Sequence, residues 1–232
     1  MSVIVVYDLE FAMSQHRRQP SDIMEIGAVK VVKGENGWTL GDTFQTLVRP
    51  VQKMTVSSDV RQLTGITLDE LAKAPSLRDS LEAFRRWLSA DPAAEYLAAW
   101  GPDDKWMLLT QCRKENIPYD WIRNHNDLQK PISRMMGLPG NKKAGLARAL
   151  EWAGLTAEGR AHRALDDAIN TARLALSRIG ELEFERNEPD EDLVYATKVV
   201  YSSADDSSEE DDPAASSPFA GLAALFGTQN RG

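Results

Sequence analysis

Hydrophobic residues are concentrated in three segments near the start of the chain, and each has the composition of a β-strand. These are residues 3–11 (VIVVYDLEF), 23–32 (IMEIGAVKVV) and 38–48 (WTLGDTFQTLV), which are rich in β-branched and aromatic residues. The sequence GENG at residues 34–37 supplies a turn between the second and third segments. The pattern therefore predicts three successive strands.

Helical patterns begin after the third predicted strand. Thr67 precedes Glu70 by three residues, the spacing of a capping box, and this predicts a helix start in TLDELAK. Further helices are predicted at residues 76–89, 105–115 and 164–185, and further strands at residues 95–101 and 121–128. Strands first, followed by alternating strands and helices, predict an α/β protein with a mixed sheet flanked by helices.

Charge divides the chain of 232 residues into a body and a tail. The net charge is −8, and residues 186–232 hold ten acidic residues but only three basic ones. Residues 202–217 (SSADDSSEEDDPAASS) have a composition typical of disorder. We therefore expect one folded domain over residues 1–185 and an acidic, largely disordered tail over residues 186–232. The nearly neutral body must bind any nucleic acid through a specific site rather than through general positive charge.

Cysteine content and hydropathy indicate where the protein works. Cys112 is the only cysteine, which excludes an internal disulfide and suits a reducing compartment. No apolar run reaches the length of a membrane span, and the amino terminus lacks the pattern of a secretory signal. These features predict a cytoplasmic protein with no membrane partner.

Two carboxylates end the first predicted strand. Asp8 and Glu10 are two residues apart and therefore point to the same face of that strand. Burial strengthens the repulsion between their charges, and a divalent cation between them would remove it. Two metal ions, which could stabilise the attacking and leaving oxygens of a phosphodiester, would need further carboxylates from elsewhere in the chain.

Two later segments supply candidates for these carboxylates. In WGPDDKWML, Asp103 and Asp104 follow a predicted strand and open a helix. In HRALDD, His162 lies five residues before Asp167, at the start of the long predicted helix. A histidine just outside that helix could lean over the carboxylate and take a proton from a water molecule, because histidine has an ordinary pKa close to neutrality.

These three motifs, in this order, resemble those of the DEDDh exonucleases. The sequences EIGAVKV, LTGIT and AWG followed by an aspartate resemble the branch that contains the histone-mRNA exonuclease and the bacterial KapD-like proteins. The resemblance covers residues 2–178. It implies a ribonuclease-H-like fold and metal-dependent 3′-to-5′ hydrolysis of single-stranded nucleic acid, with release of nucleoside 5′-monophosphates.

The resemblance also implies a role for each motif residue. Asp8 would bridge two magnesium ions, Glu10 and Asp167 would complete the shell of the first ion, and Asp104 would hold the second. His162 would be the general base. Manganese could replace magnesium.

Two neighbouring aspartates are the alternatives to these ligands. The family places its aspartate four residues after a tryptophan, which selects Asp104 after Trp100, whereas a register one residue shorter would select Asp103. Asp166 would point about 100° away from Asp167 around a helix. We therefore expect it to serve as a favourable charge in the first helical turn.

Other polar and aromatic residues near the motifs have less specific interpretations. Beside the metals, Leu9 and Phe11 could wedge against a terminal base, since stacking requires no particular sequence. Glu25 could orient the metal ligands without binding the metal itself, although a carboxylate with no role beyond the strand is the favoured interpretation. His16 and His125 are interpreted as structural or solvated residues.

The expected substrates are single-stranded RNA or DNA 3′ ends, and the branch resemblance favours RNA. Within the enzyme class, the alternative is a DNA proofreading or repair exonuclease. From a different class, the alternative is an inactive exonuclease fold that serves as a nucleic-acid-binding scaffold. No residue can be assigned to the recognition of a 2′-hydroxyl group.

The tail ends in an apolar motif. Phe219, Leu222, Leu225 and Phe226 would form an apolar stripe on a helix. The stripe could fold back onto the domain, or it could dock in the groove of a protein partner, since GLAALF resembles the bacterial sliding-clamp-binding motif. A third interpretation is that the acidic run mimics nucleic acid and occupies the active-site groove.

Overall fold

Five strands form one mixed sheet in the computed structural model, which describes residues 2–11, 22–50 and 64–191. The strands are β1 (Val3–Phe11), β2 (Ile23–Gly34), β3 (Gly37–Leu47), β4 (Ala94–Ala99) and β5 (His125–Asp127). Their order across the sheet is β3-β2-β1-β4-β5. β2 is antiparallel to both β1 and β3, whereas β4 is parallel to both β1 and β5. The predicted α/β architecture is therefore confirmed.

Six helices flank the sheet within the described part of the chain. They are α1 (Leu68–Lys73), α2 (Leu77–Ser89), α3 (Asp103–Lys114), α4 (Gln129–Met135), α5 (Leu146–Trp152) and α6 (Ala164–Ser177). The predicted capping box opens α1, where the Thr67 side chain accepts from the Glu70 amide and the Glu70 carboxylate accepts from the Thr67 amide at 2.9 Å. Among these residues, no helix combines the length and the apolar character needed to cross a membrane.

The end predicted for the last helix is wrong. α6 ends at Ser177 rather than at residue 185, since Arg178 leaves the helical conformation with φ −129°. The Ser177 hydroxyl donates to the Leu174 carbonyl at 2.7 Å in this last turn. The chain then returns beside β5, where the Asn187 side chain pairs with both the amide and the carbonyl of His125. The apolar motif of the predicted tail, residues 219–226, lies outside the described residues, as does His16, and their interpretations stay predictions.

The side chains of β1 divide the hydrophobic core into two layers. Val5 and Tyr7 pack with α2 and α3 on one face, whereas Ile4 and Val6 pack with α4, α5 and α6 on the other. Because side chains alternate along a strand, Asp8 and Glu10 point to the same face as Ile4 and Val6. The two carboxylates therefore leave β1 on the side of the sheet that α6 covers.

Candidate active site

The ends of two parallel strands bring Asp104 to β1. Because β1 and β4 run parallel, their carboxyl ends meet at the same edge of the sheet, and α3 begins just beyond β4. The Asp104 side chain is buried and its Oδ1 accepts a hydrogen bond from the Leu9 amide at 3.0 Å. Asp103 is exposed instead. This geometry favours Asp104 over Asp103 as the carboxylate that belongs to the site.

A close approach of α6 to the sheet brings the third motif to the same place. Gly27 of β2 pairs with Asp8 of β1, and a side chain at Gly27 would overlap the backbone of Ala164 and Leu165. Only glycine allows the first turn of α6 to lie this close to the strand. The start of α6 is thereby fixed beside the end of β1.

The two aspartates in the first turn of α6 bind different amides of the preceding loop. Asp167 accepts a hydrogen bond from the His162 amide at 2.8 Å, through Oδ2. Asp166 accepts one from the Arg160 amide, also at 2.8 Å, and so turns toward the preceding loop. Both carboxylates lie in the first turn of the helix, as predicted for Asp166. Asp167 is the one that is held next to His162.

Three predicted site residues converge on one point. Glu10, His162 and Asp167 each offer a ligand atom, and these atoms all lie within 4.8 Å of one another. Carboxylate oxygens with an imidazole nitrogen are a donor set that divalent cations accept. The residues of the first and third motifs are therefore close enough to share one ion.

Burial and mutual repulsion raise the pKa values of the site carboxylates. Burial followed by the charges of Asp104 and Glu10 raises the pKa of Asp8 well above its ordinary value, and burial also raises that of Asp104. Burial together with the charges of Asp167 and Glu25 raises the pKa of Glu10 to about 8. A cluster of carboxylates that resist ionisation in this way is one that a divalent cation would stabilise. The donor set and its electrostatics thus fit a metal centre.

The stability of the metal-free protein should depend on pH because of this repulsion. Since the pKa of Glu10 is raised from 4.5 to about 8, its contribution to the free energy of unfolding is present below pH 4.5 and lost as the pH rises through about 8. We therefore expect the melting temperature in EDTA to fall across this interval, and magnesium to restore it at the alkaline end. Each kcal/mol changes the melting temperature by about 2–4 °C. Thermal melts in EDTA and in magnesium measure both effects.

Glu10→Gln is the control for this dependence, because it removes one of the titrating carboxylates and should make the fall of the melting temperature in EDTA shallower, while Asp8 and Asp104 still contribute to it. A wild-type melting temperature that stays constant or rises with pH in EDTA would contradict the repulsion. A melting temperature that magnesium does not change at any pH would contradict the metal centre.

The remaining predicted residues differ in how well they are placed. Leu9 is only 4% exposed and packs in the core, whereas Phe11 is partly exposed at the end of β1, so Phe11 is the better placed of the two to stack on a base. His125 is buried with its Nε2 atom 2.9 Å from the Tyr7 hydroxyl, and burial lowers its pKa to about 3. It is therefore a neutral structural residue, one of the two predicted interpretations.

Sequence analysis missed the partner of Glu25. This side chain is 0% exposed and forms an ion pair with Arg163, at 2.7 Å between Oε1 and Nη2. It is thus more than the plain strand carboxylate that the sequence favoured. The sequence does show a basic residue, Arg163, directly after His162, but it does not show which carboxylate this arginine pairs with.

Comparisons with known proteins relate this chain to exonucleases. A sequence model of the family described as Exonuclease (RNase_T) matches residues 5–175. The chain is 28% identical over 197 residues to ERI1 exoribonuclease 2 of Danio rerio. This alignment covers 75% of this chain and 34% of that protein. It is 26% identical over 176 residues to the probable 3′-5′ exonuclease KapD of Bacillus subtilis. That alignment covers 74% of this chain and 82% of KapD. The chain therefore spans about a third of the length of the Danio relative and most of KapD.

A solved structure has the same fold. The nuclease domain of 3′hExo, described as a DEDDh family member bound to rAMP, superposes with a TM-score of 0.71 and 25% sequence identity. The superposition covers 81% of this chain and 96% of that domain. The described body of the chain thus corresponds to nearly the whole of that nuclease domain.

Proposed function

We propose that this chain, which belongs to the RNase_T family of exonucleases, is a metal-dependent 3′-to-5′ exonuclease. Its substrates would be single-stranded nucleic acids, and its products nucleoside 5′-monophosphates. The observation that carries the proposal is the convergence of Glu10, His162 and Asp167 on one point at the edge of the sheet. Asp8, which is partly buried, and Asp104, which is buried, extend this cluster with two further carboxylates.

The four carboxylates would hold two magnesium ions. Asp8 would serve as a ligand of both ions, Glu10 and Asp167 would complete the shell of the first, and Asp104 would hold the second. The bound cations would supply positive charge that stabilises the phosphodiester oxygens as the bond is hydrolysed. Leu9 contributes through its backbone, because the hydrogen bond from its amide to Asp104 joins the end of β1 to the first turn of α3.

His162 would act as the general base. Its side chain lies at the exposed edge of the cluster, where a water molecule can reach it and where a proton can pass from the imidazole to solvent. The hydrogen bond from its amide to Asp167 fixes the distance between the base and the ligand cluster. The same contact would keep the imidazole on the side of the site where the attacking water enters.

RNA is the proposed preferred substrate. The Danio relative is named an exoribonuclease, and the 3′hExo domain was crystallised with rAMP, a ribonucleotide. A stacking contact from Phe11 to the terminal base would accept either sugar, so preference must come from contacts to the 2′-hydroxyl group. The proposal therefore predicts that the two polymers differ in rate and not in the direction of digestion.

Time courses on labelled oligonucleotides test both the reaction and the substrate. On a 5′-labelled single strand with magnesium or manganese, we expect a ladder that shortens from the 3′ end, faster on RNA than on DNA of the same sequence. A 3′-phosphate blocks the terminal hydroxyl and serves as the control for end recognition. Equal rates would remove the RNA preference, and faster digestion of DNA would make DNA the preferred substrate. If both strands stay intact with either metal, the chain is an inactive binding fold.

A further inference from the structure

Glu25 is a buried carboxylate that the proposed reaction does not use. It lies opposite Glu10 in the antiparallel pair of β1 and β2 and is 0% exposed. Arg163 donates to both of its oxygens, from Nε to Oε2 at 3.1 Å and from Nη2 to Oε1 at 2.7 Å. Gln45 Nε2 donates to Oε1 at 2.8 Å. A buried charge is tolerated only when it is paired this completely.

The same carboxylate caps α6 from another element of the fold. Arg163 is the N-cap residue of this helix, but its side chain makes no capping hydrogen bond. Glu25 Oε2 instead accepts the hydrogen bond from the Ala164 amide, at 3.1 Å. Its negative charge thereby lies at the amino end of the helix, where a negative charge is favoured.

The two residues that Glu25 holds come directly after His162, whose backbone conformation is unusual. His162 has φ 61°, in the left-handed region that non-glycine residues seldom adopt. Such a conformation persists only when the surrounding contacts fix it. Asp167 fixes the His162 amide from one side, and Glu25 fixes Arg163 and Ala164 from the other.

We propose that Glu25 and Arg163 are positioning residues, a clamp that holds His162 in its place over the ligand cluster. The inference rests on the proposed function only for its effect on the reaction rate. Neither residue needs to touch the metal or the nucleic acid. The clamp instead joins β2, which lies beside the ligand strand β1, to the loop that carries the base.

Kinetics of the full-length chain test the clamp. In Glu25→Gln and in Arg163→Gln, we expect kcat to fall by about 10- to 100-fold, the order of loss that a displacement of about 1 Å causes. The KM for the oligonucleotide should stay within about twofold, because neither residue needs to touch it. The magnesium affinity should change modestly and in opposite directions in the two variants, because Glu25 and Arg163 place opposite charges near Glu10. Measuring kcat at saturating magnesium removes this effect. Each single change leaves one member of the ion pair without its partner, so the double variant Glu25→Gln/Arg163→Gln, which removes both charges, decides the question if a single variant does not fold. Wild-type kcat in the folded variants would overturn the clamp.

Arg173→Gln is the matched control. Arg173 lies on the same helix and forms an arginine–glutamate pair with Glu158 at 3.0 Å, outside the ligand cluster. Its loss should lower the melting temperature while kcat, measured well below every melting temperature, stays unchanged. If Arg173→Gln lowered kcat as much as Arg163→Gln, the effect would be one of general stability and the clamp would be wrong.

Hydrogen exchange provides a measurement that does not depend on activity. The amide of His162 is hydrogen-bonded to Asp167 and should be protected in the wild type. We expect faster exchange at this amide in Glu25→Gln and Arg163→Gln, and wild-type exchange in Arg173→Gln. Unchanged exchange in the first two variants would overturn the clamp. An inactive wild-type protein would overturn the proposed function, and the exchange rates would still decide the clamp.

Discussion

Asp8→Asn is expected to lower the rate of hydrolysis by about 10³-fold or more and, in EDTA, to raise the melting temperature above that of the wild type. The first effect follows from the charge stabilisation of several kcal/mol that a bound metal supplies, since each 1.36 kcal/mol corresponds to about tenfold in rate. The second follows because burial, and then the charges of Asp104 and Glu10, oppose the ionisation of Asp8 and raise its pKa, whereas asparagine keeps the shape without an ionisable group. A variant that loses activity but gains stability in the absence of metal indicates that the charge of the native residue serves function and not folding.

Single-turnover rates and thermal melts, each with magnesium and with EDTA, measure the two effects of Asp8→Asn. Magnesium should no longer raise the melting temperature of this variant to the extent that it does in the wild type. Asp103→Asn is the matched control, because Asp103 lies next to Asp104 in the sequence but is exposed. We expect it to keep the wild-type rate. A fully active Asp8→Asn, or an Asp103→Asn as inactive as Asp8→Asn, would contradict the proposed ligand set.

The central strand and its carboxylates could be predicted from sequence because they depend on local periodicity. Alternation along β1 assigns Val5 and Tyr7 to one face and Val6 to the other, and it then carries Asp8 and Glu10 to the face of Val6. The alternation does not require knowledge of what packs on either face. The start of α1 was predictable for the same reason, since its capping box lies within four consecutive residues.

Features that depend on contacts between distant segments could not be predicted. Glu25 and Arg163 are far apart in the sequence and meet only because Gly27 lets α6 approach the sheet closely. β5 has three residues, and it is bordered by Asn187 from the returning chain. A strand is predicted over residues 121–128, and β5 lies within it, but only residues 125–127 pair with the sheet. These shorter bounds could not be predicted, because the sequence of this segment does not show its contact with the distant Asn187.

The start of α4 is an intermediate case. Asp127 accepts hydrogen bonds from the amides of Gln129 and Lys130, so its side chain caps the helix. An aspartate before a short apolar segment is a recognised start signal. The signal was present in the sequence, but seven residues show too little periodicity to outweigh the strand predicted immediately before it.

His162→Ala is expected to separate the base from the metal ligands. Loss of a general base lowers kcat by about 10²- to 10⁴-fold. Because the four carboxylates remain, the affinity for manganese, measured by electron paramagnetic resonance, should stay within about threefold of the wild type. This comparison is needed because the imidazole lies close enough to Glu10 and Asp167 to be a ligand as well.

Each alternative role of His162 gives a different result in the same variant. A ligand role predicts that manganese affinity and kcat fall together, and that raising the metal concentration restores the rate. A base role predicts that metal does not restore the rate, whereas added imidazole does, because the site of the missing side chain is exposed to solvent. Arg160→Gln, in the loop just before the base, controls for disturbance of this loop and should leave the manganese affinity unchanged. Wild-type turnover in His162→Ala would remove this residue from the mechanism, and the base would then have to be sought outside the cluster that ends β1 and begins α6.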